Sequence, residues 1–249
     1  MPRIFIVLAL VTVSVFAWMF YQYSVQKQDA AALGEYEQVL NEKTQALYTQ
    51  AKDWQKPIQI EVDDDRLEGD YAEMAAFIVG SMRDSAELRN QYLRDLKAQH
   101  WDRFLDVSRL AKDQKQNYKE TEAMLKAVAD IVKEYELQTQ NRDALLIQTA
   151  KQLDIKNRYR QQLIHNLKEN LNDDAANAIF ALEKQSLQKA NQLFALLKQH
   201  KWQNKNNMVM FYEDAPIAPF NALYKEMVEL NQQMEQIKLN NRQQIKDQL

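Results

Sequence analysis

The first apolar stretch of the chain runs from Ile4 to Tyr21 without a charge, and no charged residue follows until Lys27. A helix rises about 1.5 Å per residue, so roughly 18 to 22 such residues match a hydrocarbon core about 30 Å thick. Trp18, Tyr21 and Tyr23 sit at its C-terminal end, where amphipathic rings favour the membrane–water interface. The pattern predicts a single transmembrane anchor over residues 4–23, with no second run of that length behind it. Arg3 and the amino terminus precede the anchor, and the positive-inside bias places such a flank, residues 1–3, in the cytoplasm. The polar remainder is then expected on the outer side of the inner membrane, in the periplasm. A cleaved signal peptide is the alternative, because Val15 and Ala17 stand where a signal peptidase reads, after an apolar run of about eleven residues. The mature chain would then open at Trp18 on an apolar aromatic segment, which favours staying in the bilayer.

Beyond the anchor, the pattern changes to a helical stripe. Leu33, Tyr36, Leu40, Lys43, Leu47, Ala51 and Trp54 recur at alternating spacings of three and four, one face of a membrane-proximal helix within residues 24–57. Pro57 closes it, lacking an amide hydrogen and disfavouring helix at the residue before it. Ile58, Ile60 and Val62 then alternate with Gln59 and Glu61, the period of a short strand. From Asp70, whose spacing to Glu73 has the logic of a capping box, helical stripes resume. They run through Ala75, Ile78, Met82, Tyr92 and Leu96, then from Tyr118 to Tyr135, and again from Leu146 to Leu171. A single helix from about Lys112 to Leu171 is one reading of that stretch; breaks near Gln140 or near Asp154 are the others. Asp106 and Ser108 are candidate caps for a short turn around Arg109, and Asn172 marks a further boundary.

Ile179, Leu182, Leu187, Ala190, Phe194 and Leu197 line the next face, and Pro216 and Pro219 open a last helix with Leu223, Met227, Leu230, Met234 and Ile237 at coiled-coil spacing. Between them Asn204 to Asn207 forms a polar turn before a second strand-like run, Met208 to Tyr212. Two isolated strands in a helical chain would each leave main-chain groups unpaired, so residues 58–62 are expected to pair with 208–212. Leu197 to Trp202 loosely repeats Leu96 to Trp101, and both stretches close a helix.

Composition supports the helical reading. The 249 residues include 3 Gly and 4 Pro, where average usage gives about 17 and 12. Folds rich in tight turns need those residues, so the class is all-α: an anchor followed by an elongated antiparallel bundle over residues 58–249, with one minor β pairing. There is no Cys, which excludes disulfides, thiolate metal sites and a lipidated N-terminal Cys. A net charge of −3 with 27% charged residues gives no field of one sign, and a nucleic-acid binder would show a basic excess. Absence of both Cys and Asn-X-Ser/Thr sites suits a bacterial envelope.

Candidate chemistry is sparse. His100, His165 and His200 have no second His three or four positions away, so no helical metal pair exists. Asp63, Asp64 and Asp65 are adjacent, whereas a calcium loop spaces its oxygen ligands around a Gly. There is no Gly-rich phosphate loop and no nucleophile elbow. The basic stretch Lys156 to Arg160 is diluted by Asp154 and Glu169. No catalytic, cofactor or metal residue is expected, and the chain is not expected to be an enzyme. The membrane-interface residues are Arg3, Trp18, Tyr21 and Tyr23. Trp101, Phe104 and Leu105 form an aromatic knot near a helix end, the candidate contact for a protein partner, with the end of a bundle core as its bland reading. The expected function is a non-enzymatic scaffold, tether or assembly partner, held to the bilayer by residues 4–23 and associating through its helical stripes. A sensory bundle acting through a partner, and a secreted helical protein, are the alternatives.

Overall fold

A computed structural model describes residues 30–172 and 175–248. Among them are seven α-helices: α1 (Ala30–Ala51), α2 (Gly69–Ala98), α3 (Val107–Gln114), α4 (Lys119–Gln152), α5 (Asn157–Asn172), α6 (Ala175–Gln199) and α7 (Ile217–Gln248). A 3-10 turn at Trp101–Arg103 follows α2, and a hairpin of β1 (Trp202–Lys205) and β2 (Met208–Phe211) joins α6 to α7. The helical class expected from composition is what the chain forms. No helix among the described residues is long and apolar enough to cross a membrane. The expected anchor at 4–23, with Arg3, Trp18, Tyr21 and Tyr23, lies outside the described residues.

The described residues fall into two compact units. One, the tyrosine unit, comprises 30–94, 135–172 with 175–177, and 238–248. Its core draws Tyr36, Leu40, Leu47 and Ala51 from α1, Met74, Ile78 and Met82 from α2, and Tyr159, Leu163 and Leu167 from α5. These are the stripe positions that the three-and-four spacing brings to one helix face. Tyr36, Tyr71 and Tyr159 run ring to ring at 5.2 and 6.0 Å. Asp70 does not act through a capping box: its carboxylate accepts from the main-chain N–H of Lys156 at 3.3 Å and fixes the start of α5.

The expected pairing of residues 58–62 with 208–212 is not formed. Residues 58–62 have no regular secondary structure, and β2 pairs with β1 in its place. The need to satisfy main-chain groups is met by side chains of the flanking helices. Ile58 N–H donates to Glu87 at 2.8 Å. The Gln50 amide exchanges two hydrogen bonds with the main chain of Gln59, at 2.8 and 2.9 Å, as a neighbouring strand would. Lys43 Nζ donates to the carbonyls of Glu61 and Asp63 at 2.9 and 2.8 Å. The apolar alternation is real, since Ile58 is buried and Ile60 and Val62 pack on the same core, but it needs no second strand.

The other, the hairpin unit, comprises 95–134 and 178–237. The long stretch from Lys112 to Leu171 is divided at 115–118 and at 153–156, the second near the Asp154 alternative. At the first division Asn117 and Tyr118 adopt left-handed backbone, φ 57° and 59°, a conformation that Asn tolerates better than most residues. Asp113 spans the gap. Its carboxylate accepts from Glu120 N–H at 3.0 Å, Thr121 N–H at 2.7 Å and the Thr121 hydroxyl at 2.6 Å, capping α4 from a distance. Arg109, also buried, donates to the carbonyls of Arg103 and Phe104 and to the Thr121 hydroxyl at 3.0–3.1 Å. Asp106 caps α3 as its sequence position predicts, accepting from Arg109 N–H at 3.1 Å.

Candidate interaction site

The hairpin is built from a short local code. Asn206 and Asn207 take left-handed φ values of 54° and 62°, the two-residue turn whose twist matches paired strands. The register is Lys205 with Met208, Asn204 with Val209, Gln203 with Met210 and Trp202 with Phe211. Residues opposite one another share a face, so Trp202, Asn204, Val209 and Phe211 form one side and Gln203, Lys205, Met208 and Met210 the other.

The inner side is braced by named contacts. Trp202 is buried, and its indole N–H donates to the Tyr118 hydroxyl at 2.7 Å. That hydroxyl donates in turn to the Leu197 carbonyl at 2.9 Å, and burial pushes it above its ordinary ionisation range, so it remains a neutral donor and acceptor. Tyr118 meets Phe194 edge-on at 5.4 Å. Phe211 packs on Phe220 at 5.4 Å. From α3, Gln114 donates to the Trp202 carbonyl at 3.3 Å, and Ser108 bridges Asn204 and Asn207 at 3.2 and 3.3 Å. The edge of β1 is therefore covered by α3.

The outer side is bare. Met208 is 56% exposed, Met210 40% and Tyr212 66%, a row of apolar side chains at alternate positions of β2 and the residue just beyond it. Lys201, Gln203 and Lys205 are exposed beside it, and no ion pair to Lys201 or Lys205 forms among the described residues. The edge of β2 is bare as well. A two-residue loop makes Lys205 and Met208 a hydrogen-bonded pair, and Tyr212 N–H donates to the Lys201 carbonyl at 3.1 Å, which continues the alternation. The N–H and C=O of Val209 and Phe211 must then point away from β1, and no described residue takes them. An open apolar edge is a template for another strand, which proteins normally blunt with charge, Pro or cover. Here it is braced from within by Trp202 and Phe211 and left uncovered by the described residues.

The aromatic knot marked by the sequence lies elsewhere. Trp101 is 7% exposed and Phe104 3%, their rings 5.0 Å apart, and Leu105 is half-buried. Trp101 and Phe104 are thus buried within the hairpin unit, and Leu105 is partly exposed beside them. His100 is exposed at the end of α2, His165 is exposed beside Glu169, and His200 lies against Phe211 and Glu213. No cluster of three metal-ligating side chains occurs among the described residues. An open groove of about 430 Å³ runs between α6 and α7, with Ala195, Leu196, Ala222 and Leu223 in its lining and Glu226 drawn to Lys189 at 2.6 Å. It is largely apolar, with Gln192, Gln199 and Glu226 as its polar lining.

Sequence reasoning placed a strand at Met208 to Tyr212 and a turn at Asn204 to Asn207. The strand forms over Met208–Phe211, and only Asn206 and Asn207 make the turn, Asn204 and Lys205 belonging to β1. The outer face was missed. The signal was the Asn-Asn pair, whose tolerance of left-handed backbone calls for a hairpin closing on its immediate neighbours. Trp202 to Lys205 hid the partner strand, because Trp-Gln-Asn-Lys shows no apolar alternation. No protein-family model matches the chain, and neither a curated protein nor a solved structure matches it.

Proposed function

We propose that the chain is a non-enzymatic scaffold or assembly partner of the bacterial cell envelope, anchored in the inner membrane by residues 4–23, with its helical units in the periplasm. The observation that carries the assembly role is the hairpin: an exposed apolar row along β2 and an open strand edge, braced from within by Trp202 and Tyr118. A face held in one conformation before binding loses little entropy on association. The buried polar groups of Asp113, Arg109 and Thr121 are consumed in holding helix ends together, which supports structure as their task. The uncharged run from Ile4 to Tyr21 supports the anchorage.

The test is fractionation and protease accessibility of the full-length chain carrying a C-terminal tag. Pelleting with membranes, and loss of the tag in intact spheroplasts, is the expected result. A tag protected until lysis would place the helical units in the cytoplasm and overturn the envelope reading. A shortened, soluble form would make residues 4–23 a signal peptide and remove the tether. A photo-cross-linking side chain at Tyr212, but not at exposed Lys126, is expected to capture protein in the same membranes; equal capture at both would overturn the docking role of the hairpin.

A further inference from the structure

We infer that β2 is completed by the β2 of a second copy of this chain, giving a four-stranded sheet in the order β1, β2, partner β2, partner β1. The pairing rests on the assembly role proposed for the hairpin and names its partner. Three observations lead to it.

The first is the hydrogen-bonding alternation. Val209 and Phe211 are the β2 residues whose N–H and C=O point outward. An antiparallel neighbour satisfies all of them when its own two outward residues stand opposite, separated by one residue. A two-fold axis at Met210 does so with β2 itself. Val209 then pairs with the partner's Phe211, Phe211 with the partner's Val209, and the two Met210 residues face each other as a non-hydrogen-bonded pair. Axes at Val209 or Phe211 would send half of these bonds into the turn or beyond the strand end.

The second is the side-chain match. With the axis at Met210, each Met208 lies opposite the partner's Tyr212 on the exposed face. Thioether and aromatic ring attract one another at that separation. No charged residue stands between Met208 and Tyr212, so no like charges are brought opposite. Lys201 and Lys205 are carried on the outer strands, one strand away from the junction.

The third is size. A junction along the four residues of β2 and Tyr212 beside it buries far less than the roughly 1,200–2,000 Å² of a stable complex. It is insufficient for dilute chains and suited to chains confined to a membrane, where tethering raises the effective concentration. The contact thus belongs to a clustered, anchored protein.

The chain has no Cys, which permits a direct test of register in the full-length protein in its own membranes. The exposed residues Met208, Met210 and Tyr212 are replaced singly by Cys and the membranes treated with a mild oxidant. In a non-hydrogen-bonded antiparallel pair the Cα atoms lie about 4.5 Å apart, within disulfide range. M210C is expected to give a disulfide-linked dimer. M208C and Y212C alone, about four residues out of register with themselves and beyond disulfide reach, are expected to give at least about tenfold less. Coexpressed M208C and Y212C chains are expected to cross-link to each other. Unchanged helical circular dichroism and melting of each variant show that the fold persists.

No dimer from M210C in a membrane fraction that holds the protein would overturn the inference while leaving the anchored reading intact. Equal cross-linking at all three positions would show random collision and overturn it as well. A cross-linked species of a different mass would assign the edge to another protein. Protein absent from the membrane fraction would overturn the anchored reading alone; M210C chains oxidised at about millimolar concentration, the level that tethering supplies, would then decide the pairing, a dimer keeping it and no dimer overturning it.

Discussion

Two helices end within the hairpin unit in similar words. Leu96-Lys-Ala-Gln-His-Trp101 closes α2, and Leu197-Lys-Gln-His-Lys-Trp202 closes α6. In both the tryptophan is buried. The two corners part at the residues just beyond it. After Trp101 the next aromatic comes three residues later, and a 3-10 turn brings Trp101 and Phe104 to one side, both inside the fold. After Trp202 the apolar residues come as an unbroken run, Met208 to Tyr212, beyond a two-residue turn. A strand sends them to opposite faces, Phe211 inward and Met208, Met210 and Tyr212 outward. Period, not aromatic density, decides which corner meets solvent.

The comparison breaks most directly at the tryptophans. Trp202→Ala removes a buried indole and its hydrogen bond to Tyr118, and is expected to destabilise the hairpin unit by about 3–5 kcal/mol in urea unfolding. Trp101→Ala is expected to cost a similar amount by the same mechanism. The two separate in hydrogen exchange: amides of residues 203–211 should exchange faster in Trp202→Ala well before global unfolding, and not in Trp101→Ala. Equal loosening of the hairpin in both would show that the corners form one cooperative element.

Next in size is Asp113, which fixes the α3–α4 corner beside the hairpin. Burial alone would raise its pKa. The Thr121 hydroxyl, the N–H groups of Thr121 and Glu120 and the charge of Arg109 outweigh burial and hold it below its ordinary 3.8. A carboxylate depressed on folding stabilises the fold above its unfolded pKa, and that contribution is lost as the pH falls through the lowered folded value. Asp113→Asn is therefore expected to lose about 2–3 kcal/mol near neutrality. The gap between wild type and variant should be constant down to about pH 5 and should narrow below 4. A gap that widens on acidification would mean that the carboxylate is not the depressed group.

These residues also show what the sequence made legible. The stripes of α1, α2 and α5 were readable because Tyr36, Leu40, Leu47, Ile78 and Leu163 repeat at helical spacing and are all buried. The cap at Asp106 was readable because it acts on the residue three positions later. Asp113 was not, since its ligands Glu120 and Thr121 become neighbours only after Asn117 and Tyr118 reverse the chain. The segment at 58–62 misled for a related reason. Its alternation was correct, but the groups that satisfy it, Lys43, Gln50 and Glu87, are polar side chains on two helices. The interaction site escaped because exposure is a property of the surroundings: Trp101 and Met210 are both apolar residues beside a turn, and only the fold covers one and bares the other.

A smaller effect tests the turn that creates this difference. Asn206 is exposed with φ 54°, so Asn206→Ala keeps every packing contact and meets only the left-handed backbone, at about 1–2 kcal/mol. Asn206→Gly should be nearly neutral or stabilising. A matching loss for both would place the role of Asn206 in its side chain and not in its backbone.

The smallest expected effect on stability carries the most about function. Replacing Met208, Met210 and Tyr212 together by Thr leaves the strand with residues of high β-propensity. It removes only side chains that face solvent, so each change should move stability by no more than about 0.5 kcal/mol. Phe211→Thr, one position away on the inner face and packed on Phe220, should cost several times more. If the outer face exists for assembly, the triple variant should fold and melt like wild type yet lose cross-linking from a probe placed at Gln203 on the same face. A triple variant that unfolds would show that these side chains are covered within the chain itself, and the contrast between the two tryptophan corners would then collapse to one of degree.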